Sequence, residues 1–215
     1  MYTPPAFAEH RLDLLHAFMS SHAFATLITR GEHGLIASHV PVVLLPARGP
    51  SGTLELHLAK PNPQCDDLAA GAEALAIFHG PHGYVSPTWY ATAASVPTWN
   101  YVAVHAYGTP RVMSDAGLRD HLDALVAAYE SARPNGWDSG KLPADTFDKL
   151  RRAIVGFEIP LTRIEGKWKL GQNRTSADRA GAIEGLRSTG IAEDAHLADW
   201  MAAAMEPLPS CSAGP

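Results

Sequence analysis

Eleven histidines in 215 residues put metal or haem ligation first among the chemistries to weigh. His79 and His82 are three apart, but the intervening Gly80-Pro81 breaks the helical geometry that makes such a spacing useful. His39, His57 and His105 fall in segments with strand character and could converge, yet no acidic residue completes a ligand motif with them. The histidines therefore read as hydrogen-bonding or surface groups. Cys65 and Cys211 are too few for a disulfide framework. No G-x-G-x-x-G, Walker loop, C-x-x-C, H-E-x-x-H or G-x-S-x-G occurs, so dinucleotide, nucleoside-triphosphate, zinc-finger, zinc-protease and serine-hydrolase chemistry lose their usual signal.

Charge is unevenly spread. The chain carries a net −5, yet residues 149–187 hold nine Lys/Arg against four acids, a local basic segment able to face phosphate groups. Apolar residues make up 46%, enough for a core and too many for a disordered chain. The N-terminus lacks a signal-peptide pattern and no apolar run could cross a bilayer, so the expected location is cytoplasmic.

Several short strands and late helices would position these groups. Apolar spacing predicts a helix over 9–19, and strands over 25–29, 35–45 (interrupted by Pro41) and 54–58. A further strand over 74–78 is expected to break at His79-Gly80-Pro81-His82-Gly83. Residues 98–107 alternate Trp99, Tyr101, Ala103, His105 and Tyr107 against Asn100, Val102, Val104 and Ala106. Ser114 should cap a helix to about residue 130, with Leu118, Leu122, Leu125 and Tyr129 inward. A short helix over 144–152 would turn Phe147 and Leu150 inward. A strand over 154–164 then leads into a hairpin turn at Glu165-Gly166-Lys167. Helices over 176–188 and 194–205 follow. The pattern predicts one α+β domain over 1–206, an antiparallel barrel with peripheral helices, and a disordered tail over 207–215.

Five segments are more specific: His39-Val40-Pro41, His57-Leu58-Ala59-Lys60-Pro61-Asn62-Pro63, Tyr84-Val85-Ser86-Pro87-Thr88-Trp89-Tyr90, Val96-Pro97-Thr98-Trp99-Asn100-Tyr101 and Lys169-Leu170-Gly171-Gln172-Asn173-Arg174. With the opening Met1-Tyr2-Thr3-Pro4-Pro5-Ala6-Phe7, they resemble the PaiB family of FMN-binding negative transcriptional regulators, over residues 1 to about 188. Gly171 stands where that family usually has Ser.

The resemblance implies an antiparallel split β-barrel of the pyridoxamine-phosphate-oxidase-like flavin proteins. It also implies a homodimer with FMN between subunits. FMN needs cations and N–H groups for its phosphate, amides or hydroxyls for its polar edge, and a flat apolar surface for its ring. Lys60 and Asn62 could meet the phosphate; Lys169, Gln172, Asn173 and Arg174 form a second cationic and amide cluster. His39, His57, Trp99, Asn100 and Tyr101 could line the ring and ribityl region. Read without the family, Lys60 is equally a solvated turn lysine, and the aromatics a core or dimer surface.

Three function classes follow: transcriptional regulation by an FMN-binding homodimer, a flavin-dependent oxidoreductase, and a haem-binding or haem-degrading split barrel. DNA is a possible partner, but the helix over 194–205 has no Lys or Arg, unlike a recognition helix.

Overall fold

The computed structural model describes residues 1–205 apart from His33 and Ala94. The tail expected over 207–215, Cys211 included, lies outside the described residues. The strands are β1 (Ala8–Glu9), β2 (Phe24–Gly31), β3 (Gly34–Pro41), β4 (Val43–Leu45), β5 (Thr53–Ala59), β6 (Ala74–Val85), β7 (Thr98–Gly108), β8 (Arg111–Val112) and β9 (Ile154–Lys169). They join in the order β3-β2-β6-β7-β9-β5-β4, with β1 and β8 also on β9. The helices are α1 (Leu12–Ser21), α2 (Gln64–Ala69), α3 (Asp115–Glu130), α4 (Ala144–Arg151), α5 (Ser176–Ser188) and α6 (Ala192–Ala203).

The chain packs as two compact units, and the division cuts across β6, β7 and β9. One unit holds His10–Phe78 and Val104–Glu165. Its β2 and β3 form an antiparallel hairpin with Thr26 opposite His39, and β5 pairs antiparallel with both β4 and β9. Leu27, Leu54, Leu56, Leu68, Phe78, Phe157 and Ile159 are almost wholly buried here. Helix α2 is fastened by polar groups. Gln64 Nε2 donates to the carbonyls of Leu27 and Ile36, and Thr29 Oγ1 donates to Asp67 at 2.8 Å. Pro41 falls at the last position of β3, an edge strand, where a missing N–H costs no ladder bond.

The other unit holds Met1–Glu9, His79–Ala103 and the chain from Gly166 onward. Here β1 pairs with the end of β9, and α5 and α6 bury Leu186, Leu197 and Met201. Thr175 caps α5, its hydroxyl accepting from the Asp178 N–H. The joining segment Thr189-Gly190-Ile191 turns at Gly190, whose φ is 71°.

Several elements differ from expectation for local physical reasons. β6 does not break at residues 79–83. Gly83 is extended there, and a Cβ on it would come within 2.9 Å of Asp194 and Leu197, so this glycine admits α6 rather than making a turn. β9 is continuous through Glu165-Gly166-Lys167, because Gly166 and Lys167 pair with Glu9 and Ala8 of β1 and stay extended. On α3, His121 is fully buried while Tyr129 is exposed. On α4, Leu150 is exposed.

Candidate functional site

The sequence candidates fall into two groups, one in each unit. The first is built by β7, the end of β9 and the loop after it. Alternation along β7 puts Trp99 and Tyr101 on one face and Asn100 on the other. Lys167 and Lys169, two apart on β9, come to the same side of their strand. Lys169 Nζ donates to Thr98 Oγ1 at 2.7 Å. Lys167 is buried; its Nζ donates to the Tyr2 carbonyl at 3.0 Å and lies 5.1 Å from the Tyr101 ring centroid. Burial pushes the Lys169 ammonium below its usual pKa, and the neighbouring Lys167 charge pushes it the same way. An anion beside both ammonium groups would relieve that repulsion.

Trp99 is 55% exposed, with His82 stacked at 6.4 Å and Tyr84 edge-on at 6.2 Å between ring centroids. Arg174 lies 4.7 Å over the Tyr90 ring, and its Nη1 donates to Ser95 Oγ at 3.4 Å. Gln172 is spent on the loop itself, its Oε1 accepting from Leu170 N and its Nε2 donating to the Trp168 carbonyl. Gly171 has a φ of 80°, the left-handed conformation a glycine adopts at least cost, which turns the chain out of β9. Asn173 is exposed. Asn100 is buried, its amide donating to Met201 Sδ at 3.4 Å.

The second group lies on β3, β5 and the turn leaving β5. His39 is exposed, with Thr26 Oγ1 3.1 Å from its Nδ1 and the Phe24 ring 6.4 Å away. Asn62 donates to Ser38 Oγ at 3.1 Å and accepts from Gln64 N at 3.0 Å, joining β3 to the start of α2. Lys60 is exposed, and its backbone N–H donates to the Ala153 carbonyl at 2.8 Å. His57 is half-buried, and its Nδ1 sits 3.1 Å from Nε2 of His121. Burial lowers the pKa of His57. Burial and then the His57 charge push His121 down to about 4. Nδ1 of His121 faces Glu55 Oε2 at 3.7 Å, and Arg48 donates to the other Glu55 oxygen at 2.7 Å.

His39, His57 and His105 do not gather. Among the described residues no three His, Cys, Asp or Glu side chains form a group able to hold a metal ion. Sequence reasoning missed Lys167, because the segment around it read as a turn. Its spacing of two from Lys169 on a continuous strand was the available signal. It also missed His121, which stands three residues from Leu118 and four from Leu125 on the inward stripe of α3.

The family described as "Putative FMN-binding domain" matches residues 1–163. The chain belongs to this family. It is 33% identical to the Bacillus subtilis Protease synthase and sporulation protein PAI 2, over 87% of this chain and 90% of the relative. Among solved structures, the FAD and heme binding protein from Mycobacterium smegmatis superposes with a TM-score of 0.57 at 20% identity, covering 80% of this chain and 78% of that one. The flavocytochrome Anf3 from Azotobacter vinelandii also gives 0.57, at 14% identity, covering 75% and 69%. At those identities the structures speak for the fold alone, an antiparallel split β-barrel with peripheral helices.

This is therefore a flavin-binding protein of the PaiB kind, and its cofactor is FMN. The residues suit that cofactor. Two neighbouring lysines and an arginine meet the charge requirement of a phosphate, and exposed Trp99 beside half-buried Tyr101 offers aromatic surface for a flat ring. Among the described residues no helix is long and apolar enough to cross a membrane.

Proposed function

We propose that this protein regulates transcription as a homodimer that holds FMN, with the flavin phosphate taken by Lys167, Lys169 and Arg174. The observation that carries the site is the pair of lysines on one side of β9, where Lys169 is partly buried and further disfavoured by Lys167. Such a pair gains more from a bound dianion than scattered surface lysines would. Trp99 and Tyr101 would lie beside the ring, and Lys60 and Asn62 remain candidates for a polar end of the cofactor. Bound FMN supplies a redox-active ring that can accept hydride.

The regulatory part rests on kinship. The Bacillus subtilis relative is named for protease synthesis and sporulation, both processes governed by gene expression. Helix α6 carries Glu193, Asp194 and Asp199 and no Lys or Arg, unlike a recognition helix, while α5 carries Arg179 and Arg187. Control through the state of the flavin or through a partner protein fits this charge pattern better. The location proposed with this role is the cytoplasm.

The test has three readouts on the full chain. Flavin fluorescence should be quenched on titration into the protein, and replacing Lys60 and Lys169 with Ala should weaken that binding far more than it lowers Tm. Light scattering should give twice the monomer mass. Transcript levels in cells lacking the gene should be restored by the native chain and not by the double variant. Equal restoration by both would remove FMN from the regulatory role.

A further inference from the structure

A buried chain of polar groups runs behind one of the cofactor candidates. Glu55 and His57 are two apart on β5, so both side chains leave the same side of the strand. Helix α3 places His121, which is 0% exposed, against both of them. The 3.1 Å contact between His121 Nε2 and His57 Nδ1 carries one proton, so one ring donates and the other accepts.

The direction is decided at the far end. His121 Nδ1 is buried and makes no hydrogen bond; the polar atom facing it is Glu55 Oε2 at 3.7 Å. Burial, with Glu158 and Asp120, raises the Glu55 pKa, while Arg48, which donates to the second oxygen at 2.7 Å, favours the carboxylate. A bare Nδ1 lone pair opposed to a carboxylate in a buried setting is repulsive, whereas an N–H there is attracted. The proton of His121 therefore belongs on Nδ1, its Nε2 accepts, and His57 must donate from Nδ1. A free neutral histidine side chain in water prefers its proton on Nε2, so the protein reverses an intrinsic preference at both His57 and His121.

We propose that His121, backed by Glu55, is a positioning residue that fixes His57 as an acceptor. His57 Nε2 would then be free to accept a hydrogen bond from a hydroxyl or imide N–H of a flavin, and would offer only a lone pair to phosphate. The inference rests on the FMN reading above and deepens it. Burial keeps both rings neutral near pH 7, which suits an acceptor and not an anion site. His57 thus recognises a neutral donor rather than a charge.

Nitrogen-15 NMR of the full chain without flavin tests the relay itself. His57 should show a protonated Nδ1 and a bare Nε2 in the native protein. It should keep that tautomer in His121→Gln, whose carbonyl can still accept, and switch in His121→Leu. A native His57 carrying its proton on Nε2 overturns the proposal without any variant, as does an unmoved tautomer in a folded His121→Leu. FMN titration then tests the ligand half. His121→Leu should bind FMN about fivefold more weakly with His121→Gln near native, while competition by inorganic phosphate stays unchanged in all three. FMN affinity indifferent to the tautomer switch overturns the assigned role of His57. A native chain that shows the expected tautomer and does not bind FMN at all defeats instead the reading on which this one rests.

Discussion

The β9 lysines and the buried histidine pair handle charge in opposite ways. Lys167 and Lys169 lie side by side, with Lys167 against the rings of Tyr2 and Tyr101 and Lys169 on a neutral hydroxyl. His57 and His121 are also neighbours, but burial strips them of charge and leaves them to share one proton. The difference lies in the side chain. An ammonium with an ordinary pKa near 10 survives a moderate downward push at neutral pH, whereas an imidazole near 6.5 does not.

The comparison breaks most readily at the lysines. Replacing Lys167 and Lys169 together with Met should weaken FMN binding by at least about 100-fold, taking roughly 1.5–3 kcal/mol for each charged hydrogen bond. Added salt should weaken the native interaction and hardly affect the variant. Because the Lys169 pKa is lowered, native affinity should also decline at a less alkaline pH than an ordinary lysine would give. Flavin fluorescence reads all three. An affinity close to native in the double variant would move the phosphate away from β9.

The histidine side makes its statement through stability. His121 binds its proton with a pKa of about 4 in the folded chain against 6.5 when unfolded. The unfolded chain thus takes up the proton first as pH falls. Stability is complete above about 6.5 and drains away toward about 4. Between pH 7 and pH 5 this amounts to about 2 kcal/mol from His121. Lowered His57 adds in the same direction, while raised Glu55 gains protons on folding and works against the loss at the acid end. Urea unfolding at the two pH values should show the drop in the native protein and a smaller one in His121→Gln.

Two glycines compare how firmly each unit is set. A Cβ on Gly31 would lie 1.6 Å from the Asp67 carboxylate, which Thr29 already holds. Gly31→Ala should cost about 2 kcal/mol by overpacking. A Cβ on Gly83 meets the tips of flexible side chains, Asp194 and Leu197 at 2.9 Å and Leu186 at 3.5 Å, so Gly83→Ala should cost about 1 kcal/mol. Thermal melts rank the pair. The smallest effect is expected from Thr98→Val, which removes the hydroxyl that receives Lys169 and leaves the ammonium in place. FMN affinity should then change by no more than about threefold, a result that would assign recognition to the charge rather than to its tether.

Much of this was legible in the chain itself. Alternation announced β5 and β7, Ser114 and the apolar spacing announced α3, and the five motif segments pointed to the family. Glycine misled where it serves packing instead of turning: Gly83 and Gly166 both read as breaks, yet one admits a helix and the other sits in a ladder with β1. Charge pairs such as Lys167 with Lys169 became visible only once β9 was known to be unbroken. The partnership of His121 with Glu55 and His57 joins residues more than sixty positions apart, and local pattern carries no trace of such a contact.

Helix α5 carries a consequence of its own. A Cβ on Gly181 would strike the Trp89 carbonyl at 2.1 Å, and one on Gly185 would strike the Trp89 indole at 2.2 Å. Two glycines a turn apart reduce intrinsic helicity by about 1 kcal/mol each relative to alanine. The segment therefore trades the ability to coil by itself for an intimate seat beneath the tryptophan. Excised as a peptide it would have little reason to be ordered, and inside the protein its shape is upheld by its neighbours, α6 and Trp89.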